Sequence, residues 1–211
     1  MQNIPVFTTE FGVASLILKE IPYNGSAYIR VLSSLQPQLL LEECMAFCRA
    51  AGAEWVYADS DGGAGYPVYT QVIRMQLPRE KLPTTSARVV PVTEQTLQYF
   101  RQIYNQKMAA VDNASYMTDR DTRQLLNRGD GYFVQKDGVD AAIVIASAGR
   151  LDALASMFPG GGREGVLVLK ELLTGDTVTL DVASTNTRAV GLYESLGFTQ
   201  TEVLTTWYKI L

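Results

Sequence analysis

The stretch TLDVASTNTRAVGLYESLGF, residues 179–198, decides how the rest of the chain is read. Val178, Leu180 and Val182 alternate with polar neighbours, the period of a half-buried strand. After a polar turn, Ala189, Leu192, Tyr193 and Leu196 recur at i, i+3, i+4 and i+7, so one face of a helix over Asn186–Leu196 carries a small residue, two leucines and a phenol. Gly197 stands where such a helix stops. Periodicity alone leaves two readings open for this face, a core-packing stripe with a glycine cap or the wall of a site. Asn186 reads as the N-cap before Thr187.

Upstream, Val166, Leu169, Leu172 and Leu173 mark an apolar helix over Val166–Leu173, preceded by Pro159, Gly160, Gly161, Gly162 and Gly165. A glycine run before a helix has two uses. It is a surface turn with a cap, or it exposes N–H groups that cradle a phosphate. Further back, Tyr132–Gln135, Ala141–Ala148 and Leu151–Met157 read as a meander, with Lys136, Asp137 and Gly138 turning the first pair. Arg88–Val92 is a short strand with Thr93 as a helix N-cap, and Leu97, Phe100, Ile103, Tyr104, Met108 and Val111 follow helical spacing. A helix over Asp119–Arg128, opened by Thr118 and closed by Gly129, carries Asp119, Arg120, Asp121 and Arg123 as a solvated face. Thr199–Ile210 is the terminal strand, with Trp207 and Tyr208 on opposite faces.

The prolines and polar residues of Pro78–Ala87 read as an extended connector, dividing the chain into residues 1–80 and 87–211. The N-terminal half has a strand over Ala27–Leu32, Pro37 at a first helical position, and a helix with Leu40, Cys44, Phe47, Cys48 and Ala51 on one face, ended by Gly52. Strands over Glu54–Ala58 and Tyr69–Leu77 follow. This strand-helix-strand unit implies a parallel pair.

The 211 residues suffice for a sizeable core, and 47% hydrophobic with 19% charged residues describes a globular chain. With 18 basic against 22 acidic residues, the net charge of −4 supplies no attraction for nucleic acid. The absence of histidine removes Ser-His-Asp chemistry and histidine-held zinc, so no metal site is expected. Cys44 and Cys48, the only cysteines, read as small core residues of one helix face. Without a signal peptide, a disulfide framework or an apolar run of ~18 residues, the chain is expected to be cytoplasmic and not membrane-spanning.

The combination of Asn186, Ala189, Leu192, Tyr193, Leu196, Gly197 and Phe198 behind a strand resembles the C-terminal motif of the GCN5-related N-acetyltransferase (GNAT) family. The resemblance follows the order of elements from Ala87 to Leu211 and is specific mainly over Thr179–Phe198. It implies an α/β fold: a GNAT-like mixed sheet, splayed between its fourth and fifth strands and flanked by helices. To this the chain adds an N-terminal strand-helix-strand half-domain, which is expected to extend or cap the sheet or to pair with a second copy as a homodimer. The implied function is direct transfer of an acetyl group from acetyl-CoA to a primary amine of a small molecule or peptide within one ternary complex.

On the same resemblance Tyr193 is the general acid toward the leaving thiolate, with packing or thiol positioning as its alternative, and Asp152 is the general base. Met157, Phe158, Gly160, Gly161, Gly162, Arg163, Glu164, Gly165, Asn186 and Ala189 fall at the cofactor-binding positions. N–H groups near Ser156–Phe158 polarise the carbonyl, because the family's fourth strand carries a bulge there. The family's Arg/Gln and central glycine positions are occupied here by Gly160 and Arg163, a departure. Arg163 pairs with a phosphate itself, or its side chain blocks the close approach a glycine permits. The last-strand aromatics, with Tyr66, Tyr69 and the loop Ser60–Gly65, are expected to line or cover the acceptor pocket. The rival is a catalytically silent module of the same fold that binds acyl-CoA or serves assembly or sensing.

Overall fold

A computed structural model describes residues 6–59, 63 and 65–211. Four of the loop residues expected to cover an acceptor pocket (60, 61, 62 and 64) lie outside the described residues. The chain divides into two units, Met1–Val72 with Val203–Leu211 and Ile73–Glu202. The connector expected at residues 78–87 therefore lies inside the second unit.

The first unit opens with two strands that the sequence reading did not include, β1 (Val6–Thr9) and β2 (Gly12–Ile17), an antiparallel hairpin. Next come β3 (Ser26–Ser34), the helix Pro37–Ala50, β4 (Trp55–Ala58) and the start of β5 (Val68–Pro78). β3 pairs antiparallel with β2 and parallel with β4, as the strand-helix-strand reading implies. Alternation along β3 sends Ala27, Ile29 and Val31 to one face and Tyr28 and Arg30 to the other. The first face packs on Leu40, Leu41, Cys44 and Cys48 of the helix. Each fully buried leucine there contributes about 1.5–3 kcal/mol.

Pro37 is the first helical residue, where its missing N–H costs nothing. The expected helix face is corrected: Leu41 is buried, while Phe47 is 45% exposed and only leans on Phe7, ring centroids 5.2 Å apart, and Ala51, just past the helix end, is exposed. Burial pushes the Cys44 and Cys48 thiols up to about 12 and about 11, so both remain protonated core groups.

The second unit contains the rest of β5, β6 (Arg88–Pro91), β7 (Gly131–Lys136), β8 (Val139–Ser147), β9 (Arg150–Ser156), β10 (Thr177–Ala183) and the start of β11 (Thr199–Lys209). Their order runs β11-β5-β10-β9-β8-β7-β6. β6 to β9 form an antiparallel meander, and its β7–β8 turn places Asp137 and Gly138 at φ 52° and 83°, the left-handed pair of a tight hairpin. Helices Leu97–Met108 and Asp119–Arg128 cover one face through Phe100, Ile103 and Leu125 on Phe133, Ile143 and Ile145.

The other face buries Val134, Val144, Leu151 and Leu180 against Val166, Leu169, Tyr193 and Leu196. Leu82 of the expected connector is 1% exposed in that core. The charged run at residues 119–123 is partly structural, since Thr118 and Asp121 form a reciprocal capping box and Asp119 pairs with Arg101. Thr93 does not cap the first helix, which starts at Leu97 after Thr96 and ends at Met108, short of Val111.

The glycine run is also corrected. Gly161, Gly162 and Gly165 lie inside a helix, Gly161–Leu167, continued by a turn at Leu169–Leu172, rather than in a loop before a helix at Val166. Gly160 is its N-cap at φ 91°, a left-handed conformation that glycine adopts without strain.

Candidate active site

β9 and β10 are parallel neighbours, joined by a crossover through the glycine helix. Their ladder sets Thr179 opposite Arg150 and Leu180 opposite Leu151, and among the described residues it joins no later pair. Asp152–Ser156 and Asp181–Ala183 therefore run on without pairing each other, which is the splay the family resemblance implies. The helices Gly161–Leu167 and Thr187–Ser195 follow directly from the two diverging strand ends. They approach closely at Gly162, where a Cβ would stand 3.3 Å from Leu192 Cδ2.

Tyr193 projects from the second of these helices into the core, 6% exposed, with its ring 5.8 Å from that of Phe198. Burial pushes its phenol up to about 12, so at neutral pH the group is a proton donor. Asn186 acts as the N-cap: its Oδ1 accepts the Ala189 N–H at 3.2 Å. That contact places Asn186 and Ala189 together at the helix start.

The glycine helix has a different internal economy from a phosphate cradle. The Gly161 N–H donates to the Phe158 carbonyl at 3.0 Å, and the Arg163 N–H donates to the Gly160 carbonyl at 3.0 Å. Gly162 donates to Ser156 Oγ at 3.1 Å, while that hydroxyl donates to the Phe158 carbonyl at 2.6 Å. Glu164 donates its N–H weakly to Gly160 and turns its carboxylate to Thr85 and Lys136. The glycines serve packing: a Cβ on Gly161 would fall 1.9 Å from the Ala141 carbonyl oxygen, and one on Gly165 2.4 Å from Leu154 Cδ1. Met157 likewise gives its N–H to Ala141 at 2.9 Å, and Phe158 is 39% exposed at the strand end.

The register between β8 and β9 shifts where Ile145 faces Ala153 and Ala146 faces Leu151, which leaves Asp152 as the extra residue of a bulge. The bulge thus stands at Asp152, four residues before the Ser156–Phe158 segment where the resemblance puts it. Asp152 is ion-paired with Arg150 at 2.7 Å.

Arg150 also reaches Asp181 at 2.6 Å, Arg74 meets Asp181 at 3.0 Å, and Arg74 meets Glu202 at 3.3 Å. This alternating row crosses β9, β10, β5 and β11 on the face opposite Leu151 and Leu180. Burial raises the Asp181 carboxyl, but hydrogen bonds and charge from Arg74 and Arg150 outweigh it and hold the group below the usual carboxylate value. The sequence reading missed the row. Asp181 alternates with Leu180 and Val182, which marks it as off the core, but nothing in the sequence says that Arg74 lies beside it.

Trp207 is 3% exposed and packs edge-on to Tyr28 at 5.0 Å within the first unit, where Tyr57 and Tyr69 stack at 4.1 Å. Near the start of β10 a depression of about 500 Å³ is lined by Arg79, Glu80, Lys170, Glu171 and Asp176. Its two cations are engaged with carbonyl oxygens of the surrounding turns. Among the described residues no helix is long and apolar enough to cross a membrane.

No family model matches the sequence, and no curated protein matches it. Solved structures do resemble the fold. A GCN5-related N-acetyltransferase from Anabaena variabilis is 12% identical with a TM-score of 0.61, over 93% of this chain and 58% of that one. A GNAT-family acetyltransferase from Colwellia psychrerythraea is 15% identical with a TM-score of 0.54, over 97% and 84%. A functionally unknown conserved protein from Staphylococcus epidermidis is 9% identical with a TM-score of 0.60, over 99% and 94%. Together with the splayed β9–β10 pair and the tyrosine helix behind it, these likenesses establish that the chain has the fold of the GCN5-related N-acetyltransferases.

Proposed function

We propose that the protein is an N-acetyltransferase that moves an acetyl group from acetyl-CoA to a primary amine of a small molecule or peptide in a single ternary complex. The observation that carries this reading is the short β9–β10 ladder, which ends at Leu151 and Leu180 and leaves the strand ends apart, with one helix springing from each. In the reaction the amine nitrogen forms the new bond to the acetyl carbon as the carbon–sulfur bond breaks. The amine proton passes to a base and the departing thiolate takes a proton.

Tyr193 is assigned the second transfer because it stands on the helix that follows the open end of β10 and its phenol carries a proton at neutral pH; burial, which raises it to about 12, makes it a weaker acid than a free phenol. Asp152 is the base candidate on β9, where its carboxylate is ion-paired with Arg150. Since Met157 already donates to Ala141, carbonyl polarisation falls to other groups than the Met157 N–H. Gly160, Gly161, Gly162, Arg163, Glu164, Gly165, Phe158, Asn186 and Ala189 remain the proposed donor-binding residues.

One observation favours a second reading, a silent module: the N–H groups of the glycine helix's first turn are engaged within the chain. Titrating acetyl-CoA by calorimetry and assaying CoA-thiol release over an amine panel separates the two. The transferase reading expects both heat and thiol release with at least one amine. Heat without release on any amine supports the silent module, and neither heat nor a thermal shift removes both.

A further inference from the structure

We propose that the protein forms a two-fold homodimer in which β1 of one copy pairs antiparallel with β1 of a second copy, edge to edge. The pairing is independent of the acyl-transfer reading. β1 carries a ladder to β2 along one side, and among the described residues no strand lies along its other side. Such an edge presents a row of N–H and C=O groups ready to pair, and proteins commonly blunt it with a charge, a proline or a bulge. β1 has none of these: its four residues are Val6, Phe7, Thr8 and Thr9, in unbroken register with β2. The other edge strand, β6, holds both Arg88 and Pro91 within four residues.

The side chains around this edge are apolar and only partly covered. Phe7 lies opposite Ala14, which packs on the helix Pro37–Ala50, so Phe7 stands on the helix side of the sheet. It is half-buried, with its ring 5.2 Å from that of Phe47. Phe47 itself is 45% exposed, and Val6, on the opposite face of β1, is 60% exposed. The pair Phe7–Phe47 thus forms an aromatic rim beside the unpaired edge.

The occupant that fits is a second copy of the chain. An antiparallel pair of identical strands is two-fold symmetric, so β1 is its own complement. For the sheet to continue with both helices on one face, residues of the same face must pair, so Phe7 meets either Phe7 or Thr9 of the second copy. The register Phe7 to Phe7 sets the two rings side by side between the two Phe47 rings, and it places Val6 opposite Thr8, a β-branched pair. Charge agrees with it. Glu10, the one charged residue adjoining β1, then falls at opposite ends of the pair, so no like charges face each other. Arg88 and Pro91 close the β6 edge to further addition, so assembly stops at two copies. The contact is small, so the dimer is in exchange with monomer at micromolar concentration.

The test is sedimentation equilibrium of the full chain from roughly 1 to 100 µM, on the wild type, Val6→Lys, Phe47→Lys and, as a control on the other edge, Val90→Lys. The wild type and Val90→Lys should pass from monomer to dimer over this range. Val6→Lys and Phe47→Lys should each raise the dissociation constant at least tenfold, because each sets a cation on the edge or its aromatic rim. Val6 and Phe47 are exposed, so the variants should melt with the wild type at the dilute end, where all are monomeric. Amide exchange at Val6–Thr9 should slow with concentration in the wild type and stay fast in Val6→Lys. A wild type that remains monomeric at the top of the range overturns the proposal, whether the edge is left free or is filled by a strand of another protein. So does a dimer that both lysine variants leave intact, which would put the interface elsewhere, or growth beyond two copies.

Discussion

Replacing Tyr193 by phenylalanine should leave acetyl-CoA affinity and thermal stability nearly unchanged and lower the maximal rate of acetyl transfer by roughly 10²- to 10⁴-fold, the usual effect of removing a general acid. The ring is 6% exposed and packs on Phe198, and phenylalanine keeps that packing. Among the described residues the phenol makes no hydrogen bond, so its loss should cost at most ~1 kcal/mol.

The pH dependence has a definite sign. Burial raises the folded phenol to about 12. Its favourable contribution to stability is therefore complete below the unfolded value of ~10 and is lost as pH rises from there toward the folded value. The phenylalanine variant should lack that alkaline loss. An unchanged maximal rate, measured with a competent amine where chemistry limits turnover, would reduce Tyr193 to a packing residue.

The second large effect concerns Gly161. An added Cβ would sit 1.9 Å from the carbonyl oxygen of Ala141 and 2.8 Å from its carbon, both backbone atoms of β8 that cannot rotate away. Alanine raises helix propensity by ~1 kcal/mol, but forcing the helix off the strand costs more, so Gly161→Ala should destabilise the chain by about 2 kcal/mol or more, read from the urea midpoint. Gly165→Ala meets Leu154 Cδ1, the tip of a flexible side chain, and should cost less. Equal or higher stability in Gly161→Ala would mean that the helix does not rest on β8 and that its glycines are present for a ligand.

These glycines show where sequence reading stopped. Gly160–Gly165 reads as a loop because each glycine disfavours a helix, yet tight seating on β8 and β9 overrides that preference. Where the local signal and the tertiary need agree, the reading carried through. Pro37 opens its helix, Thr118 caps the one it was expected to open, and Asn186 caps the tyrosine helix whose stripe of Ala189, Leu192, Tyr193 and Leu196 faces the core.

β1 and β2 escaped because VFTTEFGVASLI, residues 6–17, has no clean alternation, and its pairing is fixed by β3, on which it leans. The row from Asp152 to Glu202 was invisible for another reason. Its members lie on four strands, and Arg74 and Asp181 are 107 positions apart, so only the strand order brings them together. The Ser156 contact with Gly162 is similar, a hydroxyl placed by the end of β9 against a helix whose start the sequence put five residues later.

The central claim, that an acyl donor enters between β9 and β10, is tested most directly by amide hydrogen exchange with and without saturating acetyl-CoA. Protection should appear in the segments Ala153–Arg163 and Asp181–Tyr193 and should be absent from the helices Leu97–Met108 and Asp119–Arg128. Protection confined to any other part of the chain, or identical exchange with and without acetyl-CoA, would contradict it.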